Sequence, residues 1–118
     1  MKATEHFQYE EWACKCCGQI GSKKNILQLA EMLEKLRLVW NCPIQVMSGY
    51  RCEKHNNKVG GAKKSQHLIP TAADIIIKGV SPEEVAKAAK DLGFKGVGTY
   101  KTFTHVDLRE GRRATWRG

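Results

Sequence analysis

The chain has 118 residues, 27% charged and 42% hydrophobic, with a formal net charge of +8 from 20 Lys and Arg against 12 Asp and Glu. That length fits one domain, expected to span residues 1–118, whose apolar side chains close a single core without covalent staples. No run of about 18 apolar residues occurs, which excludes a transmembrane helix.

Residues 1–11 are polar and have no apolar segment of the kind a secretory signal carries, so synthesis and folding in the cytoplasm are expected. The positive charge favours polyanions, nucleic acid among them, although it also serves plain solubility. Five cysteines are present, Cys14, Cys16, Cys17, Cys42 and Cys52. An odd number without a signal segment argues against a complete disulfide framework. The compact Cys14-x-Cys16-Cys17 group lacks the paired Cys-x-x-Cys knuckles of a zinc ribbon. It leaves a structural metal, a disulfide or buried thiols as open alternatives.

After a turn-rich stretch from Cys17 to Ser22, a helix is predicted from Lys23 to Trp40. Ile26, Leu29, Ala30, Leu33, Leu36 and Trp40 recur at helical spacing and form one apolar stripe, read as core. Asn41-Cys42-Pro43 stops this helix. Ile44 to Met47 predicts a short strand. Residues 52–59 are polar and suit a short helix broken by Gly60-Gly61. Ala72 to Lys78 predicts a second strand, apolar enough to be covered on both faces. Ser81-Pro82-Glu83-Glu84 then starts a helix, with Ser81 as cap and Glu84 closing a capping box. Val85, Ala88, Ala89 and Leu92 give its inner face, and Gly93 ends it. Gly96 to Tyr100 and Thr104 to Leu108 predict two strands joined near Lys101-Thr102. Arg109, Arg112, Arg113 and Arg117 read as a solvated tail with Trp116 packed on the core. The order of elements predicts an α+β domain, a small antiparallel sheet with flanking helices.

Four histidines occur: His6, His55, His67 and His105. His67 and Asp74 flank the start of the second strand, and His105 lies on the last. A His, a carboxylate and a second His form a three-ligand set with one tetrahedral position left for water, as hydrolytic zinc requires. By spacing alone this is a weak signal, and the same residues read more readily as ordinary surface groups. His6 and His55 are expected to be exposed, with no partner motif. Gly60-Gly61 precedes no helix opening with Lys-Ser/Thr, so nucleotide binding is rejected.

A longer pattern adds context. It runs Ser48-Gly49-Tyr50-Arg51, Asn56, Val59-Gly60-Gly61, Ser65-Gln66-His67, Ala72-Ala73-Asp74-Ile75, Gly96-Val97-Gly98 with Tyr100, then His105-Val106-Asp107 with Arg109. From about Ile44 to Trp116 this resembles the zinc D-Ala-D-Ala carboxypeptidases. That family includes cell-wall endopeptidases and phage endolysins, and shares its zinc core with the hedgehog domain. The resemblance implies a hedgehog-like or D-Ala-D-Ala peptidase-like fold. It implies Zn2+ on His67, Asp74 and His105, and a substrate carboxylate or carbonyl held by Arg51. Ser65 and Tyr50 would line or brace the substrate site, with a turn residue and a packed aromatic as the plainer alternatives. A guanidinium fork suits a carboxylate on physical grounds as well.

Two positions depart from the family's pattern. Thr102 stands where many relatives place a Glu base, and it takes no proton. Asp107 is the nearest acidic substitute, expected on the same strand face as His105, either as catalytic base or as the partner that orients a ligand. Pro70 stands where Gly is usual, which puts the shape of the 67–74 loop and the substrate preference in doubt.

The function implied is hydrolysis of peptide bonds in peptidoglycan stem or cross-link peptides, as a carboxypeptidase or a murein endopeptidase. The chain is expected to act as a monomer, without nucleic acid or membrane insertion. It would reach the wall through a lysis, phage or prophage system. A second reading is a zinc-containing module that has lost catalysis and binds wall peptide or a protein. A nucleic-acid protein built on Cys14, Cys16, Cys17 and the positive charge ranks last, since it leaves His67, Asp74 and His105 unexplained.

Overall fold

The computed structural model describes residues 2–14, 22–48, 72–109 and 111–118. The expected short helix in 52–59 lies outside these residues, as do Cys16, Cys17 and Cys52. Cys14 is buried and Cys42 half-buried.

A 3-10 turn at Tyr9–Trp12 precedes helix α1, Lys23–Trp40. Strand β1 is Ile44–Ser48 and β2 is Ala72–Ile77. Helix α2, Pro82–Leu92, leads to β3 (Gly96–Thr99), β4 (Thr104–Asp107) and β5 (Ala114–Arg117). The strands form one sheet in the order β1-β2-β4-β3-β5. Every pair is antiparallel except β3 with β5, which is parallel. The sheet is therefore mixed, not antiparallel as expected, and residues 114–117 are a strand, not a solvated tail. Four residues flanked by arginines present too short an alternation to register as a strand.

Both helices are capped, α2 as its sequence predicted. Ser22 Oγ accepts from the Asn25 amide at 3.4 Å, and Asn41 closes α1 in the left-handed region at φ 51°. Ser81 Oγ accepts from the Glu84 amide at 3.2 Å and donates to the Glu84 carboxylate, while Gly93 ends α2 at φ 99°. A Gly there adopts positive φ without the steric cost of a Cβ.

Alternation along the strands divides the sheet into two faces. Ala73, Ile75, Ile77, Val97 and Val106 point to the helices. They join Ile26, Leu29, Ala30, Leu33 and Leu36 of α1, and Val85, Ala86 and Ala89 of α2, in one core. Ala86 replaces the expected Ala88 as a fully buried position; Ala88 and Leu92 sit at the core's edge. Phe7 and Trp12 extend the core edge-to-face, with ring centroids 6.1 Å apart. Burying each such large side chain stabilises the fold by about 1.5–3 kcal/mol.

The segment before the 3-10 turn is tied to α1. Glu34 accepts from the Thr4 hydroxyl at 2.6 Å, the His6 amide at 2.7 Å and His6 Nδ1 at 2.7 Å. His6 is exposed as expected but has a definite partner 28 residues away, which no local motif announces.

Candidate active site

The face of the sheet opposite the helices carries the polar groups. Register places Ser48, Asp74, His105, Gly98 and Trp116 in one cross-strand row over β1, β2, β4, β3 and β5. In β1 the register shifts between Val46 and Ser48, which sets Ser48 opposite Asp74. Such bulges re-aim a strand beside functional sites. This one lies at the end of β1, shortly before Tyr50 and Arg51 in the sequence. Tyr50, Arg51, Ser65 and His67 fall outside the described part of the chain.

Within the described residues, Asp74 and His105 are direct cross-strand neighbours, and His105 Nδ1 lies 3.0 Å from Asp74 Oδ1. The other ring nitrogen, Nε2, lies 2.7 Å from Oδ2 of Asp107. Asp107 shares the face of His105, as expected, and its side chain is fully buried. Arg109 holds the same carboxylate three times. Its Nε donates to Oδ1 at 2.9 Å, an Nη to Oδ2 at 2.8 Å, and its amide to Oδ1 at 3.1 Å. Bidentate pairing of this kind fixes geometry as well as charge. Gly96 makes room for it, because a Cβ there would overlap the Asp107 carboxylate.

These contacts set the local charge states. Burial alone pushes the Asp107 carboxyl up, but hydrogen bonds from His105 and Arg109 overcome it and hold the group far below the usual carboxylate range. Burial pulls His105 down, yet the carboxylates of Asp107 and Asp74 outweigh it and raise the imidazole above its ordinary value. Lying between two carboxylates, the ring is biased toward its protonated form.

The donor atoms fit a metal. Two donors about 2.0–2.1 Å from one tetrahedral zinc lie about 3.3 Å apart, and Asp74 Oδ1 and His105 Nδ1 need only a slight opening from 3.0 Å. A buried carboxylate on the remaining imidazole nitrogen is the usual support of a histidine ligand. The described residues contain no group of three or more His, Cys, Asp or Glu able to hold a metal by themselves.

The sequence of a known peptidase family, described as Peptidase M15, matches residues 5–107. The chain belongs to the M15 peptidases. M15 members are generally zinc-dependent. No curated protein matches the chain. No helix among the described residues is long and apolar enough to cross a membrane.

Around His105 the structure also gathers Trp116, which the sequence did not place here, with Tyr100 and Arg109, which the motif contained without a role. Trp116 lies half-buried against His105, with ring centroids 5.2 Å apart. Its Nε1 donates to the Tyr100 hydroxyl at 2.8 Å, and the Arg109 guanidinium lies 5.0 Å from its ring centroid. A signal for this existed in Gly96-Val97-Gly98, because glycines inside a strand mark close approach of another group.

Proposed function

We propose that this M15 peptidase is zinc-dependent and hydrolyses peptide bonds in peptidoglycan stem or cross-link peptides. The reading rests on one observation above all. Asp74 and His105 face each other across β2 and β4 with donor atoms 3.0 Å apart, and a buried carboxylate holds the second imidazole nitrogen. His67, Asp74 and His105 would hold the ion. Zinc bound there supplies Lewis acidity and a water whose pKa falls to about 7.

The chain's own residues do the rest. Asp107 would keep the proton on His105 Nε2, which leaves the Nδ1 lone pair for an ion shared with Asp74. Arg51 anchors a substrate carboxylate or carbonyl, and Tyr50 and Ser65 line the approach. Asp107 suits the orienting role better than the catalytic base. Its oxygens already accept from His105 and Arg109, and that pairing opposes uptake of a further proton.

A second reading is an M15 module that keeps zinc and has lost catalysis. Thr102 favours it, because this residue sits exposed beyond β3, where many relatives carry Glu.

Metal content of wild type and His67→Ala, measured with digestion of purified peptidoglycan, separates the readings. About one zinc per chain, lost in the variant, with released peptides or D-alanine, supports the peptidase. Zinc without release supports the binding module. Zinc that does not depend on His67 rejects the site.

A further inference from the structure

We infer that Trp116, carried to the site by β5, is a positioning residue that fixes the direction of the His105 ring and therefore of Nδ1. The inference rests on the reading of His105 as a metal ligand.

The geometry begins at Gly98. Trp116 and His105 stand on strands separated by β3, so their backbones are about 9.6 Å apart, twice the strand spacing. A side chain on the middle strand would ordinarily lie between them. Gly98 has none, and the indole crosses β3 in its place; a Cβ at 98 would meet indole Cε2 and Nε1 at 2.5 Å. The indole thereby reaches the imidazole at 5.2 Å, tilted by 45°.

The indole is itself fixed. Its Nε1 donates to Tyr100 Oη at 2.8 Å, and Arg109 covers its ring at 5.0 Å. That same Arg109 grips Asp107, and Asp107 holds His105 Nε2. His105, Asp107, Arg109 and Trp116 thus close a circuit of contacts around the imidazole. Each part restrains a different motion. The carboxylates hold the two nitrogen edges of the ring. An imidazole's χ2 well is broad, so edge contacts alone leave room to tilt. The indole takes that room away. Arg109 and Trp116 both lie beyond residues 5–107, the part matched to the M15 family.

A residue that merely fastened β5 would affect folding alone. A positioning residue also changes the ligand field at His105. The test uses Co2+ as a visible probe and Zn2+ competition against a chromophoric chelator, on wild type, Trp116→Ala, Trp116→Phe, Tyr100→Phe and His105→Ala. Far-UV circular dichroism monitors the fold, and the proton shifts of the His105 ring in metal-free protein report the indole's ring current. Trp116→Ala is expected to weaken zinc binding about tenfold or more, the usual cost of losing a group that supports a ligand. It should also alter the cobalt spectrum and remove the ring-current shift. Trp116→Phe should restore most of the affinity, and Tyr100→Phe should show a smaller loss in the same direction.

A folded Trp116→Ala with wild-type affinity, cobalt spectrum and His105 shifts overturns the inference while leaving the metal site standing. If that variant does not fold, Tyr100→Phe decides: unchanged affinity and spectrum overturn it. Wild-type metal binding that persists in His105→Ala overturns both the inference and the reading beneath it.

Discussion

The two faces of the sheet are closed in different ways. Toward the helices, Ala73, Ile75, Ile77, Val97 and Val106 meet apolar side chains of α1 and α2, and each contact resembles its neighbours. On the other face, Asp74, His105, Asp107, Arg109, Trp116 and Tyr100 form a chain in which each member has a specific partner. The first arrangement stabilises through area removed from water and tolerates swaps of similar volume. The second depends on every link, because a buried charge that loses its partner costs more than the pair contributed. Perturbing one face should therefore leave the other's property intact in one direction only.

Asp107→Ala tests this most severely. It removes the counter-charge of Arg109 and the support of His105 Nε2 together. We expect a loss of about 3 kcal/mol in urea unfolding, the lower end for breaking a buried pair because Arg109 remains a quarter exposed. Zinc affinity should fall in the same variant. Leu33→Ala is the counterpart on the apolar face. Leu33 is fully buried, so about 2–4 kcal/mol should be lost, with the metal affinity of the folded fraction unchanged. A coupled loss of zinc affinity there would show that the two faces are not independent.

Smaller effects sharpen the contrast at the periphery. Ser81→Ala removes the cap of α2 and should cost about 1 kcal/mol by thermal unfolding, without changing metal content. The Glu34 clamp should show itself by its loss in acid. Burial raises this carboxyl, but hydrogen bonds from Thr4 and His6 outweigh it and hold the group below its ordinary value of 4.5. A carboxyl depressed in the folded state stabilises above its unfolded value, and the effect disappears as pH falls through the folded one. Wild type should therefore lose stability below about pH 4.5 more steeply than Glu34→Gln. Parallel urea curves for the two at each pH would remove the clamp from consideration.

The two faces also differed in how far the sequence disclosed them. The α1 stripe from Ile26 to Leu36 repeats at helical spacing, and the caps Ser81 and Gly93 act within three or four residues. Such signals are local, so both helices were readable. Asp74, His105 and Asp107 were found through the motif, and the side relation of 105 to 107 followed from strand alternation. The parallel strand β5 was hidden, because its partner β3 is not its neighbour in the chain and none of its four residues is buried. Trp116 was hidden with it, a tryptophan in an arginine-rich end that only the crossing over β3 brings to His105; Arg109 stood in the motif, but nothing there disclosed its grip on Asp107. His6 and Glu34 were unreadable for a related reason, since nothing local links positions 28 residues apart.

The path from β4 to β5 carries one more consequence. Between β4 and β5 the chain is tied to the start of β3, where Lys95 receives the Ala114 amide at its carbonyl and donates its Nζ to the Gly111 carbonyl. Tyr100, His105, Asp107, Arg109 and Trp116 are thereby gathered within 16 positions of one another, whereas Asp74 lies 31 positions from His105. Closing the shorter loops costs less chain entropy, and local contacts form sooner. The half of the site that holds His105 Nε2 is thus built from contacts within one short stretch of chain. Changes to that stretch should slow folding, while changes at Asp74 should mainly hasten unfolding.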